Sequence, residues 1–250
     1  MNEKIQNDLL EQGYSVIKNA FSLGEFKQFR EILNNTPFQY LVNYGDSFEG
    51  VEISKEKIEK IKIELDKEIE KRIIEHTLKY FKRTDFFKKN FSNYVNNGWN
   101  AFRINFPYQK FKNVAWHQDI QTPIENKLGF QNKKFLTFWI PFTNVNEDNS
   151  IEILKMRKNI KVYSNHYRID LPLPKELRSN DKFKVKISAC DLVILDNFTF
   201  HRSVPNITNL TRASIDLRFT SNEQQYYKTD FALKIRMLKS QIKSLLKRGF

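Results

Sequence analysis

From about Trp99 onward the chain breaks into short β-branched or aromatic runs: "AFRINF", "VAWHQD", "KFLTFWIPF", "IEIL", "KFKVKIS", "DLVILD" and "RASIDLRF". Asn, Asp, Pro and Lys clusters separate them. This texture constrains the fold more than any other feature. Several short strands at such spacing predict a mainly β core, a sandwich or barrel, over residues 99–222.

The flanks read differently. "GYSVIKNAF" alternates well enough for a short strand, and Ser22 and Glu25 then stand in capping-box spacing before a helix running to about Leu33. Between Ser54 and Lys82, Ile58, Ile61, Leu65, Ile69, Ile73 and Leu78 recur at near-helical spacing. His76 lies in this stretch without a partner at ligand spacing and reads as a packing or surface residue. Residues 1–98 are therefore expected to be a mostly helical flank, packed on the outside of the sheet. Past residue 222, Phe231, Ile235, Leu238, Ile242 and Leu245 form a stripe with lysines off it, which predicts a basic amphipathic helix over 223–250. Its stripe suits packing on the core or on a second copy of the chain; a peripheral membrane contact and a nucleic-acid contact are the other readings. With no internal repeat, Gly/Ser linker or low-complexity tract, the 250 residues are expected to form a single domain.

Composition removes several function classes. Neither GxGxxG nor GxxxxGK[ST] occurs among the seven glycines, which argues against a phosphate-cradling loop. One cysteine, Cys190, excludes an internal disulfide and fits a reducing compartment; its apolar neighbours predict an inert thiol. "MNEKIQNDLL" carries no apolar leader and no run is long enough to span a bilayer, so a cytoplasmic location is expected. The formal charge of +13 hints at an anionic partner, a small molecule rather than a stably bound nucleic acid.

Four histidines and 29 acidic residues in 250 make roughly 0.5 chance His-x-acid matches, so "WHQD" alone is weak. Its context strengthens it. On a strand, residues two apart share a face, which brings the His117 imidazole and the Asp119 carboxylate to one side. These are two parts of a two-His-one-carboxylate site, which holds Fe(II) and leaves positions open. His201, after the apolar run "DLVILD", is the best candidate for the remaining ligand, whereas His166 lies in a polar segment and reads as a loop residue. An iron oxygenase of this kind also needs a cation for the far carboxylate of 2-oxoglutarate, and a guanidinium can pair with it bidentately. "RASIDLR" offers Arg212, with Ser214 as a further donor and Arg218 as a candidate substrate contact on the same face.

Together, "WHQD", "FWIPFTNVNEDNS" and "LDNFTFHRSVPNITNLTRASIDLRF" resemble the phytanoyl-CoA dioxygenase family of Fe(II)/2-oxoglutarate-dependent oxygenases over about Asn100 to Asn222. The distal block keeps the family's order of His, Ser, Pro, Asn and Arg and the His-to-Arg step. The resemblance implies a double-stranded β-helix (a jelly-roll, cupin-like core), iron on His117, Asp119 and His201, and 2-oxoglutarate on Arg212. It implies a hydroxylase or related dioxygenase that consumes O2 and yields succinate and CO2. "RIN" is similar to a strand in which the asparagine touches 2-oxoglutarate and the arginine faces substrate, which extends the candidates to Asn105 and Arg103. Relatives that halogenate lack the ligand carboxylate, so Asp119 favours hydroxylation. The chain departs from the pattern at "NSIEILKMRKN", where Lys155, Arg157 and Lys158 replace a small-residue turn and suggest a pocket rim for an anion such as a sugar acid or sugar phosphate. A nucleic-acid demethylase with the same iron site, or a non-catalytic binding protein on the same fold, are the alternatives.

Overall fold

In the computed structural model, residues 1–34, 36, 39, 48–64, 67–107, 114–121, 135–155, 173 and 175–221 are described. The expected helix over 223–250, Leu65, Arg157, Lys158 and His166 lie outside them.

The chain opens with α1 (Glu3–Glu11), whose first turn is capped by the Asn2 side chain accepting from Lys4 N–H. The strand β1 (Tyr14–Ile17) follows, then α2 (Leu23–Asn34). The capping box forms as its spacing predicts: Glu25 accepts from Ser22 N–H at 2.9 Å, and Ser22 Oγ accepts from Glu25 N–H at 3.3 Å. The charged stretch after Ser54 supplies α3 (Lys55–Glu64) and α4 (Lys67–Phe81). His76 on α4 bonds the Gln28 carbonyl of α2 at 2.9 Å and packs on Tyr80, the structural role its isolation predicts. Next come α5 (Asp85–Phe91), β2 (Tyr94–Asn96) and β3 (Ala101–Asn105). The remaining strands are β4 (Phe135–Pro141), β5 (Ile151–Leu154), β6 (Lys182–Lys184), β7 (Leu192–Asp196), β8 (His201–Ser203) and β9 (Arg212–Ser221).

The structure is mainly β with flanking helices. One sheet runs β1-β7-β4-β9-β2, with β3 also on β9; the other runs β6-β5-β8, and all pairings are antiparallel. Alternation along the central strands sorts their side chains. Phe138, Ile140, Ile194, Leu217 and Phe219 face the helices, where Phe26, Phe29, Phe81 and Phe91 meet them. On the other side, Trp139, Val193 and Leu195 pack against Ile151 and Ile153 of the small sheet. The large sheet is thus buried on both faces, and this is why β4 and β7 read as nearly unbroken apolar runs. The helical flank is more than a cover, since β1 registers against β7 and β2 against β9.

One close approach fixes the start of β9. Val51 and Thr211 exchange hydrogen bonds through Val51 N–H to Thr211 Oγ1 and Thr211 N–H to the Val51 carbonyl, each 3.0 Å. A Cβ on Gly50 would strike the Thr211 carbonyl, so only glycine fits beside the residue preceding Arg212.

Candidate metal centre

"WHQD" is not a full strand. His117 and His201 form a single antiparallel bridge, each N–H donating to the other's carbonyl at 3.0 Å, and the chain then tightens into a 3-10 turn over Asp119–Gln121. The expectation of a regular strand is corrected here: the Ile120 N–H donates to the Asn197 carbonyl at 2.9 Å, which draws the chain off any ladder. The convergence survives by another route. Residues opposite each other across an antiparallel pair share a face, so the two imidazoles meet with centroids 4.2 Å apart, and the turn delivers Asp119 beside them.

One potential ligand atom from each of His117, Asp119 and His201 lies within 4.8 Å of the others, and all three residues are buried. Each imidazole has its Nδ1 against a backbone carbonyl, Ala115 at 2.8 Å for His117 and Thr199 at 3.0 Å for His201. A carbonyl only accepts, so Nδ1 carries the proton and Nε2 presents its lone pair. His117 Nε2 lies 3.7 Å from Asp119 Oδ1. Burial, reinforced by His201, pushes the His117 pKa down to about 3, which keeps its ring neutral. Burial works to raise the Asp119 pKa, but the Arg218 charge and the two histidines outweigh it and hold the carboxyl well below its usual range. Two imidazoles and a carboxylate are a donor set that suits iron.

Arg218, expected to face a substrate, is corrected. It is buried and committed to Asp119, with Nη2 at 3.1 Å from Oδ1 and Nε at 3.3 Å from Oδ2, while Nη1 donates to the Trp99 carbonyl at 3.0 Å. A buried carboxylate needs a countercharge, and β9 supplies it from its inner face. Thr137 Oγ1 also donates to Asp119 Oδ2. Its role was hidden in the sequence, although a threonine in the middle of an apolar strand is itself a signal.

Next to the histidines, Arg212, Thr137 and Asp216 line the same cavity. Arg212 is only 2% exposed, and its Nε and Nη1 have no protein hydrogen-bond partner. Burial lowers its pKa to about 10, so it stays charged at neutral pH. Ser214 Oγ and Asn105 Oδ1 are likewise buried without a partner. Asn105 stands opposite Arg212 in the β3–β9 register, and its Nδ2 donates to the Val204 carbonyl at 3.2 Å. Native proteins rarely leave such groups unpaired away from water. A buried guanidinium with an adjacent hydroxyl fits a carboxylate ligand, so the donor set and this cation together suit iron and 2-oxoglutarate.

At the cavity wall, Arg103 Nε meets Asp216 Oδ2 at 2.6 Å, and Arg202, not singled out in the sequence, meets Glu152 Oε2 at 2.6 Å. Arg202 also lies 5.0 Å from the Trp116 ring centre, and Trp116 packs with Leu154, Leu173 and Phe200. Gln118 is fully buried, its Nε2 donating to the Phe198 carbonyl at 2.7 Å. Lys155 stands exposed just past β5, with its backbone N–H on the Asp181 carbonyl. Cys190 is half-buried, and burial raises its pKa, which disfavours the reactive thiolate. Among the described residues, no helix is long and apolar enough to cross a membrane.

No protein-family model matches the chain, and no curated protein matches it by sequence. Solved structures do match it. EvdO2 from Micromonospora carbonacea var. aurantiaca, complexed with 2-oxoglutarate, aligns with a TM-score of 0.57 at 13% identity, covering 92% of this chain and 94% of that one. The non-haem α-ketoglutarate-dependent carbocyclase SnoK from nogalamycin biosynthesis aligns at 0.53 and 16% identity, covering 94% and 90%. The epimerase SnoN, in complex with Fe3+, α-ketoglutarate and nogalamycin RO, aligns at 0.51 and 13% identity, covering 92% and 88%. The chain therefore shares the fold on which these enzymes are built.

Proposed function

We propose that the protein is a non-haem Fe(II)- and 2-oxoglutarate-dependent dioxygenase of the phytanoyl-CoA dioxygenase-like kind, hydroxylating or otherwise oxidising a C–H bond of a small anionic metabolite. We read the two sheets as one double-stranded β-helix domain. The observation that carries the reading is the placement of the buried Arg212 guanidinium, whose Nε and Nη1 have no protein hydrogen-bond partner, in the same cavity as His117 and His201. In this reading His117, Asp119 and His201 hold the iron, Arg212 and Ser214 bind the distal carboxylate of 2-oxoglutarate, and Asn105 lies beside it. Bound iron and 2-oxoglutarate supply the oxidising power, with O2 consumed and succinate and CO2 released. The chain's own residues orient the cosubstrate and keep the centre away from bulk water.

The anionic substrate is supported by Arg103 and Arg202 at the cavity wall. Their side chains stay 36% and 39% exposed despite their carboxylate partners. The SnoN complex holds nogalamycin RO on a protein of this fold. The retained carboxylate of Asp119 favours hydroxylation over halogenation.

Mixing the protein anaerobically with Fe(II) and 2-oxoglutarate should produce the visible charge-transfer band of the chelate, and His117→Ala should abolish it. Absence of the band from folded wild-type protein would sink the cosubstrate assignment. Succinate release across neutral and anionic candidates then tests the substrate class, and stimulation by neutral compounds alone counts against it.

A further inference from the structure

Asp119 is held at both of its carboxylate oxygens. Oδ2 accepts from Thr137 Oγ1 and from Arg218 Nε at 3.3 Å, two donors for its two lone pairs. Oδ1 accepts from Arg218 Nη2 at 3.1 Å only, and lies 3.7 Å from His117 Nε2. The clamp is itself held. Arg218 Nη1 is anchored on the Trp99 carbonyl, and the guanidinium lies 4.5 Å from the Trp99 ring centre. Its backbone N–H donates to Asn100 Oδ1 at 3.0 Å, and its carbonyl accepts from Asn97 N–H and Asn96 Nδ2. The side chains of Arg218 and Asp119 are 3% and 1% exposed, so water does not compete for these bonds.

From this we infer that Arg218 and Thr137 are positioning residues that restrict Asp119 to one-oxygen coordination of the metal. The inference rests on the metal centre proposed above and deepens it. A carboxylate with both oxygens available can chelate a divalent ion and take an extra coordination position. The oxygenase reading needs that position: beyond the protein ligands, a chelating 2-oxoglutarate and O2 must all find room on the ion. With Oδ2 locked by a hydroxyl and a guanidinium, Asp119 offers only Oδ1. The same guanidinium offsets the ligand's negative charge, which leaves the centre more attractive to a dianionic cosubstrate.

Mn(II) replaces iron in the test, because it reports water ligands by electron paramagnetic resonance in 17O-water without turnover. Thr137→Val, nearly the same shape without the donor, and Arg218→Met should each bind Mn(II) with one fewer water than wild type. They should also bind 2-oxoglutarate about tenfold more weakly in the Mn(II)-loaded protein. Arg218→Lys, which keeps the charge but not the fork, should recover part of the affinity and little of the water count. Thermal unfolding of each metal-free variant identifies any that fail to fold, and Thr137→Val keeps the test decisive if Arg218→Met does. Wild-type water count and affinity in folded Thr137→Val and Arg218→Met would overturn the positioning role. A wild-type protein that binds no Mn(II) would instead overturn the metal centre, and the role with it.

Discussion

The two faces of β9 are equally buried and chemically opposite. Toward the helices point Ala213, Ile215, Leu217 and Phe219, all at 0% exposure; toward the small sheet point Arg212, Ser214, Asp216 and Arg218, none above 6%. Burial alone therefore does not separate core from site. The helix-side residues need nothing but neighbours, and close packing supplies them. Those on the other face need partners: Arg218 has Asp119 and Asp216 has Arg103, while Arg212 Nε and Nη1 and Ser214 Oγ have none from the protein. Charges kept in a dry interior at such cost point to a ligand rather than to stability.

Breaking one face at a time sharpens this contrast. On the helix side, Phe219→Ala removes a ring packed against Phe81, Phe87 and Phe138 and should lower stability by about 3–5 kcal/mol. Chemical denaturation measures that loss, while metal binding by the molecules that remain folded should be unaffected. On the inner face, Arg212→Met should reverse the pattern. Unfolding should stay unchanged or shift slightly upward, because a buried charge with two nitrogens left without hydrogen bonds is lost, whereas 2-oxoglutarate binding by calorimetry should weaken by about 3 kcal/mol. A variant that lost stability but kept 2-oxoglutarate affinity would assign Arg212 to the core after all. Acid gives the mildest test. The His117 ring protonates near 6.5 when unfolded but only near 3 when folded, so between these values the unfolded chain binds more protons and acid favours unfolding. From about pH 7 to about pH 5 the metal-free protein should lose about 2 kcal/mol from this residue. His117→Gln should flatten that slope, whereas Phe219→Ala should leave it intact.

How much of this was legible beforehand follows from the range of each signal. The runs in β4 and β7 announced strands because burial on both faces leaves few polar positions to blur them. The common face of Arg212, Ser214, Asp216 and Arg218 followed from strand alternation alone. His117, Asp119 and His201 were legible as residue types in order, but the means of their convergence was not. A one-residue bridge and a 3-10 turn have no periodicity, and a two-residue spacing imitates a strand. The partner of Arg218 was also hidden, since nothing local tells an arginine aimed at substrate from one aimed at a ligand 99 residues earlier. Likewise, β1 reads as a short strand and β2 is lost in the helical flank, but the place of both in the main sheet was hidden, because their pairing partners lie far along the chain.

The central position of β9 also sets an order of events in time. Among the described strands β2 and β3 pair only with β9, and β4 takes β9 on one edge and β7 on the other. While the chain is being synthesised, β1, β7 and β4 can pair before Arg212 appears, but β2 and β3 lack their partner and one apolar edge of β4 stays bare, the condition in which nascent β proteins associate wrongly. Asp119 meanwhile lacks its countercharge. The emergence of β9 closes that edge and, in the same step, brings Arg218 to Asp119 and Arg212 to the cavity, so the candidate site gains its two buried cations only together with the closed sheet.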